Sequence, residues 1–562
     1  MLPRKWGRRN KRKVEIHPDE ILLDSSNLPE FDTDQMEGRI ERPLGRGSFI
    51  AAGAILALMF AGLMVRAGDL QIARGAAFAK QAINNQLNET PIFADRGIIT
   101  DRNGTPLAWN ERSSTDDEFA ARTYSKYVGL GHVVGYVKPP AKDSAGYYYR
   151  DFFIGMDGAE RAYNSTLAGT NGLKLTETDA HNNVVSQAQV DPPVAGQKLA
   201  LSIDADATQG LYEALASVAE KSHFQGAAGV VMDVHTGELL AMTSYPDYSP
   251  QALSDGNSAA ISTLNKNPYQ PFLNRATDGL YAPGSIVKPV VATGGLTEGV
   301  ITPSTQIVST GSISVPNQYD PAHPSIFLDW RINGLMTVRD AIAVSSDVFF
   351  YEVGGGYPGQ PGLGITKLDQ YFKMFGFGSN PGLPGFNNAV GNVPTPDWKA
   401  KNFPDDPTWR LGDTYHTAIG QYGMLVSPLQ AAREAAAIAN GGFLLTPSLF
   451  ATTTPQGTQL PVPSSALEVV REGMRQGVTK GIVQGINYSF VQPAAKTGTA
   501  QVGIHNENQN AWMIGFWPYD NPRYAFAVVL EKLPANTPVG GSAVMEYFLN
   551  YLHDHDPQYL TN

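Results

Sequence analysis

The sequence predicts an α+β protein: an antiparallel sheet with a helical subdomain, standing on a β-rich pedestal and preceded by one membrane-spanning helix. Three observations predict it. Two apolar hairpin patterns bracket the second half of the chain, helical patterns lie between them, and one uncharged apolar run sits near the N-terminus. With 42% hydrophobic and 17% charged residues, the 562-residue chain has the composition of a folded protein large enough for several domains. A formal net charge of −11 argues against a nucleic-acid partner, because phosphate binding needs a large basic face. The absence of cysteine excludes disulfides, zinc–thiolate sites and thiol catalysis.

The first element is the apolar run at 48–65. It has no charged residue and as a helix would reach roughly 27 Å, enough for a bilayer core. A cleaved signal peptide or a buried helix would also be apolar. However, the preceding tail is far longer than a signal n-region, and no clean small-x-small site follows. The segment therefore reads as a retained anchor at 48–66, behind a cytoplasmic tail at 1–47. Nearby charges tie, with Arg39, Arg42 and Arg46 before the helix and Arg66, Arg74 and Lys80 after it. The distal block of Arg4, Lys5, Arg8, Arg9, Lys11, Arg12 and Lys13 tips the N-terminus to the cytoplasmic side. That block rests on anionic headgroups or is simply solvated.

Residues 67–205 are polar and turn-rich, with short strand patterns such as Arg96-Gly97-Ile98-Ile99-Thr100-Asp101 leading to an Asn103-Gly104 turn, and Lys198–Asp204. A helix is expected over 207–221. Two strands follow, 227–233 and 239–244, joined through His235-Thr236-Gly237-Glu238. A second hairpin pairs 511–517 with 524–530 across Pro518–Arg523. Helices are expected over 338–353, 365–375, 427–440, 465–477 and 543–552. Strands at both ends of one domain, 206–555, imply that its first and last strands share one sheet.

Three short motifs carry chemistry. In Ser285-Ile286-Val287-Lys288, positions three apart share a helix face, so Lys288 is expected beside the Ser285 hydroxyl as its base. A buried lysine loses basicity, and the helix N-terminus offers N–H groups to an oxyanion. Ser345 and Asp347 form the second motif. Ser345 could relay a proton and Asp347 could hold Lys288 or accept from a substrate amide, although an N-cap before Val348-Phe349-Phe350 reads equally well. Lys496-Thr497-Gly498-Thr499 reads as a strand whose Gly498 admits close approach to the backbone. Lys496, Thr497 and Thr499 suit a terminal carboxylate, and the Thr499 N–H with that of Ser285 suits an oxyanion hole. Alone, each motif is weak, and an edge strand or a capped helix would explain it.

Taken in order, these motifs resemble those of the class B penicillin-binding proteins, which lack a glycosyltransferase domain of their own. The resemblance extends to Arg96–Gly104, Gly131-His132-Val133-Val134-Gly135, Gly155–Glu160 and Gly169-Thr170-Asn171-Gly172, which mark the family's pedestal, and to Asn274-Arg275-Ala276-Thr277. Trp398-Lys399, Trp409–Thr414, Ile419-Gly420-Gln421 and Asp347 place the chain nearer the elongation, rod-shape type than the septal type.

The resemblance implies a serine β-lactamase/DD-peptidase-like fold and a D,D-transpeptidase that cross-links peptidoglycan. Ser285 would be the nucleophile acylated by D-Ala-D-Ala stems or by β-lactams. Lys288 would be its base, Ser345 and Asp347 the relay, and Lys496, Thr497, Gly498 and Thr499 would hold the carboxylate. It implies no cofactor. The implied partners are a SEDS-family glycosyltransferase and the elongation-complex protein MreC, in the cell membrane. A DD-carboxypeptidase, a β-lactamase or a β-lactam sensor would share the motifs. No deacylating base stands out for a β-lactamase, and 1–47 is short for a signalling domain.

Three departures from the family pattern stand out. Only about 35 residues separate Arg96-Gly97 from Gly131-His132, so the head subdomain is expected to be reduced. The run Gly354–Gly362 reads as an insertion near the cleft. Asp320, His323 and Asp329 are a poor set for the structural metal that some relatives carry.

Overall fold

The computed structural model describes residues 45–561 except 85–86, 115–116, 145, 179–183, 318–319 and 451–453. The basic block and acidic stretch of the tail lie outside the described residues. The described residues divide into two compact units, the smaller containing residues 45–84, 87–88 and 178. Within this smaller unit, helix α1 (Arg46–Gly68) contains the expected apolar run and buries none of its residues. Helical structure continues to Ala73, and the whole is long and apolar enough to cross a membrane.

In the larger unit, the pedestal strands Leu199–Ala200, Ile99–Thr100, Pro106–Glu111 and Ala121–Tyr124 form one sheet in that order. Its polar motifs meet in a buried cluster. Glu160 accepts from Arg96 Nε at 2.6 Å and Arg122 Nε at 2.7 Å, with all three side chains almost fully enclosed. The Asn103-Gly104 turn forms as expected, with Asp101 Oδ1 accepting from the Asn103 and Thr105 N–H groups. Of the strand expected over 198–204, Leu199–Ala200 pairs within the pedestal sheet and Leu201 bridges to Phe450, before Asp204 turns out to cap the next helix.

That helix, α2 (Ala205–Ser222), is capped through Asp204 Oδ1 and the Ala207 N–H. The other Asp204 oxygen accepts from Asn103 Nδ2 at 2.8 Å and Tyr559 OH at 2.5 Å, tying the pedestal turn to the C-terminus. The main sheet contains β1 (Gly226–Asp233), β2 (Leu239–Tyr245), β3 (Ala494–Val502), β4 (Asn508–Trp517) and β5 (Tyr524–Pro534), in the order β2-β1-β5-β4-β3. All neighbours are antiparallel, and the first strand lies beside the last, as the two hairpins predicted.

The period-two alternation of strands assigns side chains to two cores. Ala228, Val230, Trp512 and Ile514 belong to one, shared with the helical subdomain. Ala227, Val231, Ala511 and Met513 belong to the other, under α2 and the C-terminal helix Gly541–His555. In the helical subdomain, α3 (Lys288–Thr297), α4 (Val338–Val344), α5 (Asp347–Gly355), α6 (Leu411–Ala418), α7 (Pro428–Ala439) and α8 (Ser464–Thr479) matter for the site. The expected helix over 338–353 is two helices. Ser345 adopts a left-handed φ of 60° and ends α4, and Ser346 then caps α5 through the Phe349 N–H. Non-glycine residues in that conformation are strained by on the order of 1 kcal/mol, a strain often found at functional positions.

The Gly354–Gly362 run is not beside the cleft. It leaves the C-terminal end of α5, opposite the end that carries Ser345 and Asp347, where Gly356 O accepts from Tyr415 OH and Gln360 Nε2 donates to Val300 O. Asp320 and His323 pair with one another at 2.8 Å, whereas Asp329 turns inward to Ser309 and Ser346. The three do not form one cluster.

Candidate active site

Ser285 lies in a short 3-10 turn, Gly284–Val287, that runs directly into α3. Its N–H is in the first turn, where a helix offers no internal acceptor. Two glycines fix this turn against the sheet. A Cβ on Gly498 of β3 would stand 2.6 Å from Pro283 O and 3.1 Å from Ile286 N, and one on Gly284, whose φ is +56°, would stand 2.6 Å from Thr499 O. The close approach read from Gly498 is therefore that of the nucleophile turn. Trp512, opposite Gly498 in β4, donates to Ala282 O at 2.9 Å, and Gly284 N donates to Gly420 O at 3.0 Å.

Ser285, Ser345, Asp347, Thr497 and Thr499 line one cleft of about 960 Å³. Lys288 and Lys496 stand behind its wall and are fully buried. Lys288 Nζ donates to Asp347 Oδ1 at 2.6 Å, Ser345 O at 2.8 Å and Ser345 Oγ at 3.4 Å. It makes no hydrogen bond to Ser285, whose hydroxyl bonds to no described residue. The helix spacing does place Lys288 one turn below Ser285, but the Asp347 carboxylate draws the ammonium across to the second motif.

Lys496 Nζ also turns to the second motif, 2.7 Å from Ser345 Oγ, and donates to Thr497 O at 2.8 Å. It does not present itself to the open cleft, as carboxylate binding would require. Burial, and then the Lys288 ammonium nearby, push the Lys496 amine well below the ordinary lysine range, against the pull of Asp347. The Ser345 hydroxyl thus lies between two lysines with different partners. Strand alternation puts Lys496 and Gly498 on one face of β3, while Thr497 and Thr499 reach the cleft from its edge.

Several residues of this site had no role in it assigned from the sequence. Asp329 braces the second motif, accepting from Ser346 Oγ at 2.6 Å, Ser309 Oγ at 2.8 Å and the Asp347 N–H at 3.0 Å. Burial opposes its ionisation, but these donors outweigh it and hold the carboxyl below its ordinary range. Ile326, Phe327 and Leu328 of the strand Ser325–Leu328, which pairs with Ser312–Val315, form an apolar wall with Trp330 just beyond it; His416 packs near Phe327, and Gln421 lines the same cleft. Trp398, Lys399 and Trp409–Thr414 support that side of the cleft. Lys399 Nζ and Arg410 N both donate to Asp413 Oδ2 at 2.7 Å, and Trp409 Nε1 donates to Thr414 Oγ1, which anchors α6. His416 was within reach of sequence reading, two residues past this motif. The apolar wall was not, because its strands are short and their pairing is non-local.

Residues 227–551 match the family model of the penicillin binding protein transpeptidase domain, over more than half of the chain. The chain belongs to the penicillin-binding protein transpeptidase family. Residues 117–201 of this penicillin-binding protein also match the penicillin-binding protein dimerisation domain. The chain is 29% identical to the peptidoglycan D,D-transpeptidase MrdA of Escherichia coli K12, over 90% of the chain and 92% of that protein. It is 32% identical to MrdA of Haemophilus influenzae, over 75% and 68% respectively. Among solved structures it resembles PBP2 of Pseudomonas aeruginosa at 30% identity and a TM-score of 0.67, over 83% of this chain and 96% of that one. PBP2 of Helicobacter pylori, solved in complex with MreC, is 26% identical with a TM-score of 0.66, over 84% and 99%. These relatives place the penicillin-binding protein in the elongation-type group, as Asp347 and the Trp409–Thr414 motif predicted.

Proposed function

We propose that this penicillin-binding protein is a peptidoglycan D,D-transpeptidase that cross-links stem peptides through an acyl-enzyme on Ser285. The convergence of the Ser285 turn, Ser345 and the Thr497–Thr499 edge on one cleft, with two buried lysines behind it, carries the reading.

Ser285 attacks the penultimate D-Ala carbonyl. Its proton passes to Ser345 Oγ as the Ser345 proton moves to Lys496, the lysine whose neutral form burial favours. Lys288 stays paired with Asp347 and holds the second motif in place, while the N–H groups of Ser285 and Thr499 receive the developing oxyanion. The proton then returns through Ser345 to the leaving D-Ala nitrogen. Thr497 and Thr499, with Gly498 between them giving close backbone approach, hold the terminal carboxylate, and the lysine behind them adds its field.

We assign residues 67–205 to the pedestal and 206–555 to the catalytic domain. Helix α1 is a single-pass anchor in the cell membrane, with the N-terminus cytoplasmic and the cleft outside. The partners consistent with this topology are MreC and a membrane glycosyltransferase of the SEDS family. One solved relative, 25% identical with a TM-score of 0.67 over 91% of this chain, belongs to a peptidoglycan synthase complex that coordinates polymerization and crosslinking.

Incubating the protein with nascent glycan strands and analysing the muropeptides tests the reading. Cross-linked dimers are expected. Tetrapeptides without dimers would identify a carboxypeptidase instead.

A further inference from the structure

The histidine that lines the cleft has no part in the steps above. His416 on α6 faces the cleft shared by Ser285, Ser345 and Asp347, with its ring 5.5 Å from that of Phe327 on the apolar wall. No described residue hydrogen-bonds either of its ring nitrogens, whereas Lys288, Ser345 and Lys496 satisfy one another. The end of its helix is fixed to the nucleophile turn, because Gly420, one turn further on, accepts from Gly284 N. The charged groups facing it are Asp413, on its own helix and paired with Lys399, and Asp347 from α5. Loss of hydration lowers its basicity against the pull of both carboxylates, so the imidazole is neutral at neutral pH.

The second half of transpeptidation needs such a group. An acceptor amine arrives as an ammonium and cannot attack until it loses a proton. Lys288 is held by Asp347, and Lys496, reached only through Ser345, is taken up by the amine's second proton, which must travel to the Ser285 oxygen. We propose that His416 is the general base for the acceptor amine, a role that rests on the transpeptidase reading above.

The ammonium gives one proton to His416, and its freed lone pair attacks the ester carbonyl of the acyl-enzyme. The C–N bond forms and the bond to Ser285 Oγ breaks. The second amine proton passes through Ser345 and Lys496 to the departing Ser285 oxygen, and His416 returns its proton to water. Hydrolysis, whose nucleophile is neutral water, does not need the first transfer.

The test uses the full chain in detergent, with a D-alanyl thioester as donor and D-alanine as acceptor. In wild type, the aminolysis rate should level off above the His416 pKa and fall below it. A rate that instead climbs tenfold per pH unit up to the acceptor amine's own pKa would overturn the proposal, because only the free amine would then be reacting. This profile needs no variant. In His416→Gln, the ratio of aminolysis to hydrolysis should fall on the order of 10²-fold. An unchanged ratio would overturn the assignment. A wild type that forms acyl-enzyme yet only hydrolyses it, or forms none, would remove the transpeptidase reading and this inference with it.

Discussion

Lys288 Nζ lies 2.6 Å from Asp347 Oδ1, joining the first active-site motif to the second through an ion pair whose lysine is wholly buried. This contact, rather than one between Lys288 and Ser285, organises the resting site. Removing the carboxylate leaves an uncompensated buried ammonium. Asp347→Ala should therefore cost about 3 kcal/mol, whereas Asp347→Asn, which keeps an oxygen acceptor, should cost about 1 kcal/mol. Denaturant unfolding of both variants in detergent checks the difference.

Lys496 predicts a pH signature. Unfolded, it titrates near its ordinary 10.5, and folded, well below that. Between these values the unfolded chain binds one more proton, so stability rises with pH, and the contribution present above 10.5 is lost as pH falls towards the folded pKa. Lys496→Met should flatten the rise by up to about 1.4 kcal/mol per pH unit and abolish penicillin acylation. Unfolding midpoints between neutral pH and the lysine range, wild type against variant, read the slope.

Gly498 predicts a geometric effect. A methyl group 2.6 Å from Pro283 O forces the Ser285 turn off the sheet. Gly498→Ala should slow penicillin acylation about 10²-fold while costing only about 1–3 kcal/mol of stability. Acylation rates of the folded variant would show the uncoupling.

The pedestal cluster predicts the opposite balance. Glu160→Ala leaves Arg96 and Arg122 buried without their shared carboxylate, at a cost of about 3–5 kcal/mol. The purified variant should still bind penicillin below its lowered melting temperature. Thermal unfolding and labelling of the same sample check both halves.

Much of this was legible because it is local. The Ser285–Lys288 spacing, the hairpins around His235-Thr236-Gly237-Glu238 and Pro518–Arg523, and the capped run after Ser427 each depend on residues a few positions apart. Side-chain partners set by non-local packing were not. Sequence spacing put Lys288 beside Ser285 and offered Asp347 as a group that could hold Lys288 or a substrate amide; only the fold, which brings Asp347 in from another helix, selects the first of these and draws the ammonium away from Ser285. Periodicity ran one helix through 338–353, but the left-handed Ser345 breaks it, and a serine gives no warning of that conformation. Asp329 looked like a stray metal ligand until the fold brought Ser309 and Ser346 to it.

Every step proposed for the cleft requires Ser285 to be the acylated residue. Labelling the full chain with a fluorescent penicillin and then locating the adduct by peptide mass identifies that residue. Wild type should carry one adduct on the peptide containing Ser285, and Ser285→Ala should carry none. Strong labelling of the alanine variant, or an adduct on a peptide lacking Ser285, would contradict this assignment.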